Sequence, residues 1–463
     1  MKTIIINTCI LISFALVTAA EEQGMRSVTV RTETFKALPA EEVRTLGFKD
    51  YPDVPEEENG AFDYIEAINI LKTPGQDDYM PQAVNMWDRY VRNSWDRLPP
   101  RDAVLEKIIT DNKQAIALIE KGSARKHCVF PIDAGIRQNA AGALLPHIAG
   151  VRNLARFMSV KARYEYVKGN AEQAVHDLGL LSGICSSLKH SPFLVSSLVQ
   201  IAVFRQLHEA ASAIVLDTKC TQKTVQSVLS ILAEAEKNLP KVEEAFKGEK
   251  TWGILVIKQI FSVNAYKNMR MFAGSRIVPI MGGDPDIART VNAAARILLP
   301  DRLVIKDLDQ YYDRIIKQNA LPYPDYIKAR GEQSEVYGKG SGTRDWNIFA
   351  ALMLPVLGRM KVSFVSAEAH SRITRGVCML KLYYIKNRKW PDAVSSIAGF
   401  SSPDMKDPFS LEPLKYRTIP NGWILYSVGS DMKDGRGEEV KNQRHKEIPV
   451  RYTDNAGSEK GIF

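Results

Sequence analysis

The stretch NLARFMSVKARYEYVKGNAEQAVHDLGLLSGICSSL (Asn153–Leu188) decides the fold class. Its apolar residues return every three or four positions, the period of a helix with one buried face. Gly169-Asn170 interrupts the pattern, as a helix stop does. Two helices joined by a short turn follow, and the same grammar extends in both directions. Upstream, AVLEKIITDNKQAIALIEKG (Ala103–Gly122) sets Val104, Ile108, Ile109, Ala115, Ile116 and Ile119 on one stripe. Downstream, Pro192 suits the first position of a helix. Thr221 is a candidate N-cap for a helix that turns Val225, Val228, Leu229 and Leu232 inward. The greasiest run, Phe193 to Leu216, carries Arg205, His208 and Glu209, which makes it a buried core helix rather than a membrane span. The expectation is a mostly α protein, an irregular α-solenoid or helical bundle over residues 61–316.

Within that region YEYVKGNAEQAVHDL (Tyr164–Leu178) resembles the turn of a tetratricopeptide hairpin. Small Ala171 and Ala174 let the second helix close on the first, and Gly169 turns the chain. The likeness covers one hairpin and does not recur at that family's period. A degenerate relative of the array and a non-repetitive helical domain with one such hairpin both remain open.

The flanks read differently. Residues 21–60 are polar, hold Pro39, Pro52 and Pro55, and are expected as a loosely ordered arm. Residues 317–345 mix proline, glycine and alternating charge, the composition of a linker loop. A second ordered block, 346–440, opens with a long amphipathic helix through Val362, Val365, Ala369, Ile373, Val377, Leu380 and Tyr384. Pro391 ends it. Two β-prone runs around Pro420-Asn421-Gly422 then signal a hairpin. Tyr416, Trp423, Leu425 and Tyr426 are expected to pack on the helix, giving a small α+β module. Residues 441–463 read as a tail.

The N-terminus places the chain. Lys2, an apolar run from Ile4 to Val17, and small residues up to Ala20 form the pattern of a secretory signal peptide over 1–20, with retention as an anchor the alternative. No later segment is apolar enough to span a membrane. Export permits disulfides, and Cys128 with Cys220 is the first pair to examine, while Cys185 and Cys378 lie on helical patterns as ordinary buried thiols do. With no Asn-x-Ser/Thr sequon the expected home is the bacterial periplasm or cell envelope. The net charge of +9 suits acidic surfaces such as cell-wall polymer, and nucleic acid is not an expected partner of an exported chain.

The C-terminal block carries a second resemblance. A long helix, then RKWPDAVSSIAGF, DPFSLEPLKYR and LYSVGSDMKDGRGEE, is similar to the globular head of type II secretion major pseudopilins. The likeness spans about Val362 to Glu439. Phe409, Ser410 and Met432 depart from the family pattern, and the chain lacks the prepilin leader that a filament subunit needs. The resemblance implies a calcium site in the last loop. Asp431 and Asp434 would supply carboxylates, with Glu438 or Glu439 completing the shell. The alternative is a solvated acidic turn, since Lys433 and Arg436 compete with a cation. The whole chain also resembles exported helical proteins of the Planctomycetes and Verrucomicrobia, in phrases such as AFKGEKTWG (Ala245–Gly253) and CVFP (Cys128–Pro131). That resemblance brings no activity.

No catalytic set assembles. His208-Glu209 opens like a zinc-protease helix, but Ser212 stands where the second histidine belongs. His147 and His176 are isolated on helices. Glu243, Glu244 and Glu249 form one acidic cluster and Asp309 with Asp313 another, both read as solvated faces. Gly338–Asp345 lacks phosphate-loop spacing. The sequence therefore points to a non-catalytic scaffold or binding protein whose partner is another envelope protein or cell-wall polymer. Two alternatives stand beside it: an envelope-polymer hydrolase using helical carboxylates, and an accessory of a secretion or pilus-like system docking through its C-terminal module.

Overall fold

The structure is a computed structural model that describes residues 25–92, 98–142, 145–261, 301–329, 348–437 and 448–453. The expected signal peptide, Glu438 and Glu439 lie outside them.

The deciding stretch folds as read. Helix α6 (His147–Val167) and helix α7 (Ala171–Ser186) are antiparallel neighbours. Gly169 turns between them at φ +96°, a conformation a side chain would strain. Helix α8 (Leu194–Leu216) packs along α6, and helix α9 (Gln222–Lys237) along α7. Thr221 caps α9, its Oγ1 accepting the Thr224 N–H. Upstream, helix α2 (Ala61–Ile70) lies against α6, and helix α3 (Val84–Arg92) touches it too. The stripe over 103–122 is two helices, α4 (Ala103–Asp111) and α5 (Lys113–Ser123). Asn112 divides them because its side chain exchanges hydrogen bonds with both backbone groups of Lys72.

Residues 25–60 are not a loose arm. Strands β1 (Ser27–Val30) and β2 (Glu33–Lys36) pair as a hairpin that buries Val28, Val30 and Phe35 in the main core. Helix α1 (Ala40–Thr45) follows, with Leu38, Val43, Phe48 and Tyr51 packed on Val129, Ile132 and Ile136. The prolines punctuate these short elements rather than dissolve them. Pro39 and Pro55 each stand immediately before a helical turn.

Helix α10 (Val242–Phe261) packs on helix α11 (Asp301–Asn319). The expected linker then begins with helix α12, residues 323–329, which starts after Pro322. Tyr323 and Tyr326 are buried against Val365, Ala369, Phe409 and Val428, so their aromatic bodies seat this part of the linker. Residues 330–345 lie outside the described residues.

Helix α13 (Ile348–Asn387) is the long helix expected before the hairpin of strands β3 (Lys415–Ile419) and β4 (Gly422–Ser427). The tail supplies a third strand, β5 (Ile448–Thr453), on the other side of β4. Pro449 disguised it in the sequence, yet an edge strand tolerates a proline whose missing N–H would face outward. Trp423 and Leu425 are fully buried, and α13 touches both β4 and β5. On its other side α13 packs against α8 and α9. One continuous core therefore runs from Val28 through Phe204 and Ile373 to Val450. The protein is mostly helical with a small antiparallel sheet at its C-terminal end.

Candidate binding groove

A groove of about 630 Å³ opens between β1, the turn at residues 56–59, α2 and the end of α5. Its floor is held by amide side chains. Asn59 grips Val129 through both backbone groups, at 2.9 Å each, and Asn69 bridges α2 to the β1–β2 hairpin. Several of the charges that line its walls stand in fixed pairs. Buried Asp63 takes Lys121 at 2.6 Å and Arg125 at 3.1 Å. Arg26 pairs with Glu56, and its guanidinium lies 3.7 Å from the centre of the Phe62 ring. Sequence reading missed this site because it joins residues of the presumed arm to a helix turn far along the chain.

The acidic loop expected to hold calcium has other work. Asp431 Oδ1 accepts the Lys433 N–H, and Asp434 Oδ1 accepts the Arg436 N–H and the Tyr426 hydroxyl, the last at 2.8 Å. The Tyr426 bond, ahead of other causes, holds the Asp434 carboxyl below its usual range. Arg417 donates to the Arg436 carbonyl, and a Cβ at Gly437 would come within 2.8 Å of Ile424. The loop thus lies tightly over the outer face of the sheet. Among the described residues no three His, Cys, Asp or Glu side chains gather as metal ligands. Glu438 and Glu439, expected to complete a calcium shell, lie outside the described residues.

The scattered candidates separate by environment. His147 stacks on Phe130 with ring centres 4.4 Å apart, and His208 lies against Phe204. Burial lowers the pKa of both to about 3, which makes them neutral core groups. His176 is half exposed on α7. Glu244 pairs with Lys247 on the surface, and Asp309 with Asp313 share Lys250 of the neighbouring helix. Glu249 differs from its cluster. Burial raises its carboxyl to about 7, and it accepts a backbone hydrogen bond from Leu194 at the start of α8.

The phrases AFKGEKTWG and CVFP are packing devices. In AFKGEKTWG, a Cβ on Gly248 would lie 1.9 Å from the Pro192 carbonyl oxygen, so only glycine allows α10 this close to the start of α8. Trp252 of the same phrase donates to the Ala140 carbonyl at 2.9 Å. In CVFP, Val129 is held by Asn59, and the Phe130 carbonyl accepts the Tyr51 hydroxyl. Cys128 lies near Tyr64 while Cys220 lies near Tyr166 and Lys381, and all four described cysteines are free thiols.

No helix among the described residues is long and apolar enough to cross a membrane. No protein family, curated protein or solved structure matches this chain.

Proposed function

We propose that this is a non-catalytic binding or scaffold protein, exported to the bacterial periplasm or cell envelope, and that the groove beside β1 is where it engages a cell-wall polymer or another envelope protein. The observation that carries the reading is the preorganisation of the groove. Asn59, Asn69 and Asp63 are each fixed by two or more partners before any ligand arrives, so binding orders little of the protein. Mixed charge beside a ring suits a polar, charged chain better than an apolar small molecule. The likeness of α6–α7 to a tetratricopeptide hairpin and of the C-terminal module to a pseudopilin head belong to the same proposal, as features of a protein that docks rather than turns over a substrate.

Two experiments test it. The full mature chain should co-sediment with purified cell-wall sacculi or with envelope vesicles, and Asn69→Ala should weaken that association. An activity screen on envelope polymers should show no turnover. Hydrolysis that disappears in Glu244→Gln or Asp309→Asn would replace the scaffold reading with the hydrolase one. Co-purification with pseudopilins would favour the secretion-accessory alternative.

A further inference from the structure

Strand β1 has a strand partner on one side only among the described residues. Its ladder fixes which backbone groups face the other way. Ala37 N–H donates to the Arg26 carbonyl at 2.8 Å, and Ser27, Val28 and Thr29 stand opposite Lys36, Phe35 and Thr34. Bonded and non-bonded pairs alternate in an antiparallel ladder. Arg26, Val28 and Val30 therefore turn their backbone groups toward β2, while Ser27 and Thr29 turn theirs away. Two further contacts agree. Thr29 and Thr34 bring their hydroxyls to 2.9 Å, as side chains of a non-bonded pair do, and the Thr29 carbonyl accepts from the Asn69 amide at 2.9 Å. Asn69 Oδ1 also accepts the Arg31 N–H at 2.6 Å. One asparagine thus does for the end of β1 what a neighbouring strand would do. The N–H and C=O of Ser27, one of the residues lining the groove, have no partner among the described residues.

The charge of the groove is unevenly committed. Its cations are spent on Glu56 and Asp63, as described. Glu57 and Glu66 are exposed, line the same groove, and have no cation at ion-pair distance among the described residues. A free backbone donor and acceptor on a sheet edge, in one groove with uncommitted carboxylates, is the pattern that recognises an added strand with a positive side chain.

We propose that the groove receives an extended polypeptide segment bearing basic side chains, paired through its backbone with Ser27 and set with a cation against Glu66 and Glu57. Because Asn69 closes one end of the short edge, the backbone contribution is a single bonded pair. Charge supplies the rest, so binding is weakened by salt. The inference rests on the groove being a binding site, and it selects polypeptide over glycan.

The test is fluorescence anisotropy on the full chain with a labelled acetyl-Lys-Val-Lys-Val-Lys-amide probe. The same peptide N-methylated at alternate residues and a Glu-Val counterpart serve as comparisons. The basic probe should bind at low salt. Glu57→Gln/Glu66→Gln, which changes only exposed side chains, and N-methylation should each weaken binding by about tenfold. Ser27→Pro removes the outward N–H without touching the β2 ladder and should act likewise if its melting curve matches the parent. Absence of binding, equal affinity for the acidic peptide, or affinity unmoved by N-methylation would overturn the proposal. If the probe fails while sacculi still co-sediment, the added strand falls and the binding-protein reading stands. Probe binding without envelope association overturns that reading instead.

Discussion

Asp407 is a splice between two loops and a strand. Its Oδ1 accepts the Phe409 N–H at 2.9 Å and the Ser427 hydroxyl at 2.8 Å, and its Oδ2 accepts the Val428 N–H at 2.7 Å. Burial pushes this carboxyl up, and the three donors together with nearby Arg372 oppose the shift. Asp407→Asn would turn an amide NH₂ toward a buried donor, so we expect a loss of roughly 1–3 kcal/mol in chemical denaturation. Glu249 gives the complementary case. Its folded pKa, about 7, lies above the value of an unfolded glutamate, so its contribution to stability is full below pH 4.5 and is lost as pH rises through 7. Glu249→Gln keeps an acceptor for Leu194 and has no charge to bury. It should raise stability at pH 8.5 by roughly 1–2 kcal/mol and leave the melt at pH 4 nearly unchanged. Neither role was legible in sequence. Asp407 stands inside DPFSLEPLKYR and Glu249 inside an acidic cluster, but their partners Val428 and Leu194 are set by packing that residue spacing does not encode.

Between the helices of the α6–α7 hairpin lies a buried ion pair, Lys161 Nζ to both oxygens of Asp177 at 2.7 and 2.6 Å. Gln173 donates to the same carboxylate at 3.0 Å. Removing one partner strands the other charge in the core. Lys161→Met should therefore cost about 3–5 kcal/mol, and Lys161→Met/Asp177→Leu should recover most of it. Thermal melts of the single and double variants check this. In the sheet, Asp434→Ala removes the bond from Tyr426 and should cost about 1 kcal/mol equally in calcium and in chelator. A melt that shifts only in calcium would return the loop to metal binding. Long helices were legible because their apolar period is sustained, and the β3–β4 hairpin because Asn421-Gly422 marks its turn. The first hairpin, α12 and β5 were not, because each is short, and α12 and β5 contain a proline while the hairpin leads into one at Pro39. Local composition there describes a loop, while burial of Phe35, Tyr323 and Val450 makes structure.

The whole molecule shares one core across the boundary that composition suggested. Ser212 of α8 meets Thr374 of α13 at 3.4 Å, and His208 and His370 are buried in the same seam. Deleting residues 348–463 should consequently unfold the helical region rather than release it, seen as loss of a cooperative melt. Buried histidines, two of them in this seam, also set an acid limit. Burial lowers His147, His208 and His370 to about 3, so the fold holds them neutral while the unfolded chain takes up protons below about pH 6.5. Their stabilisation is full above that pH and is lost as pH falls toward 3, by up to about 1.4 kcal/mol per unit for each histidine. Glu249 offsets part of this as it protonates. Denaturation midpoints at pH 7, 5.5 and 4 should fall in that order, less steeply in His208→Phe.

The seating of α8 against α13 has a consequence in time. The ribosome finishes Leu216 long before it reaches Ile348, and at 5–20 residues per second the interval is on the order of ten seconds. Throughout it, the face of α8 that α13 will cover has no partner. A nascent chain halted before Ile348 is therefore a chaperone client, and halted chains should cross-link to a holdase through α8 whereas completed ones should not.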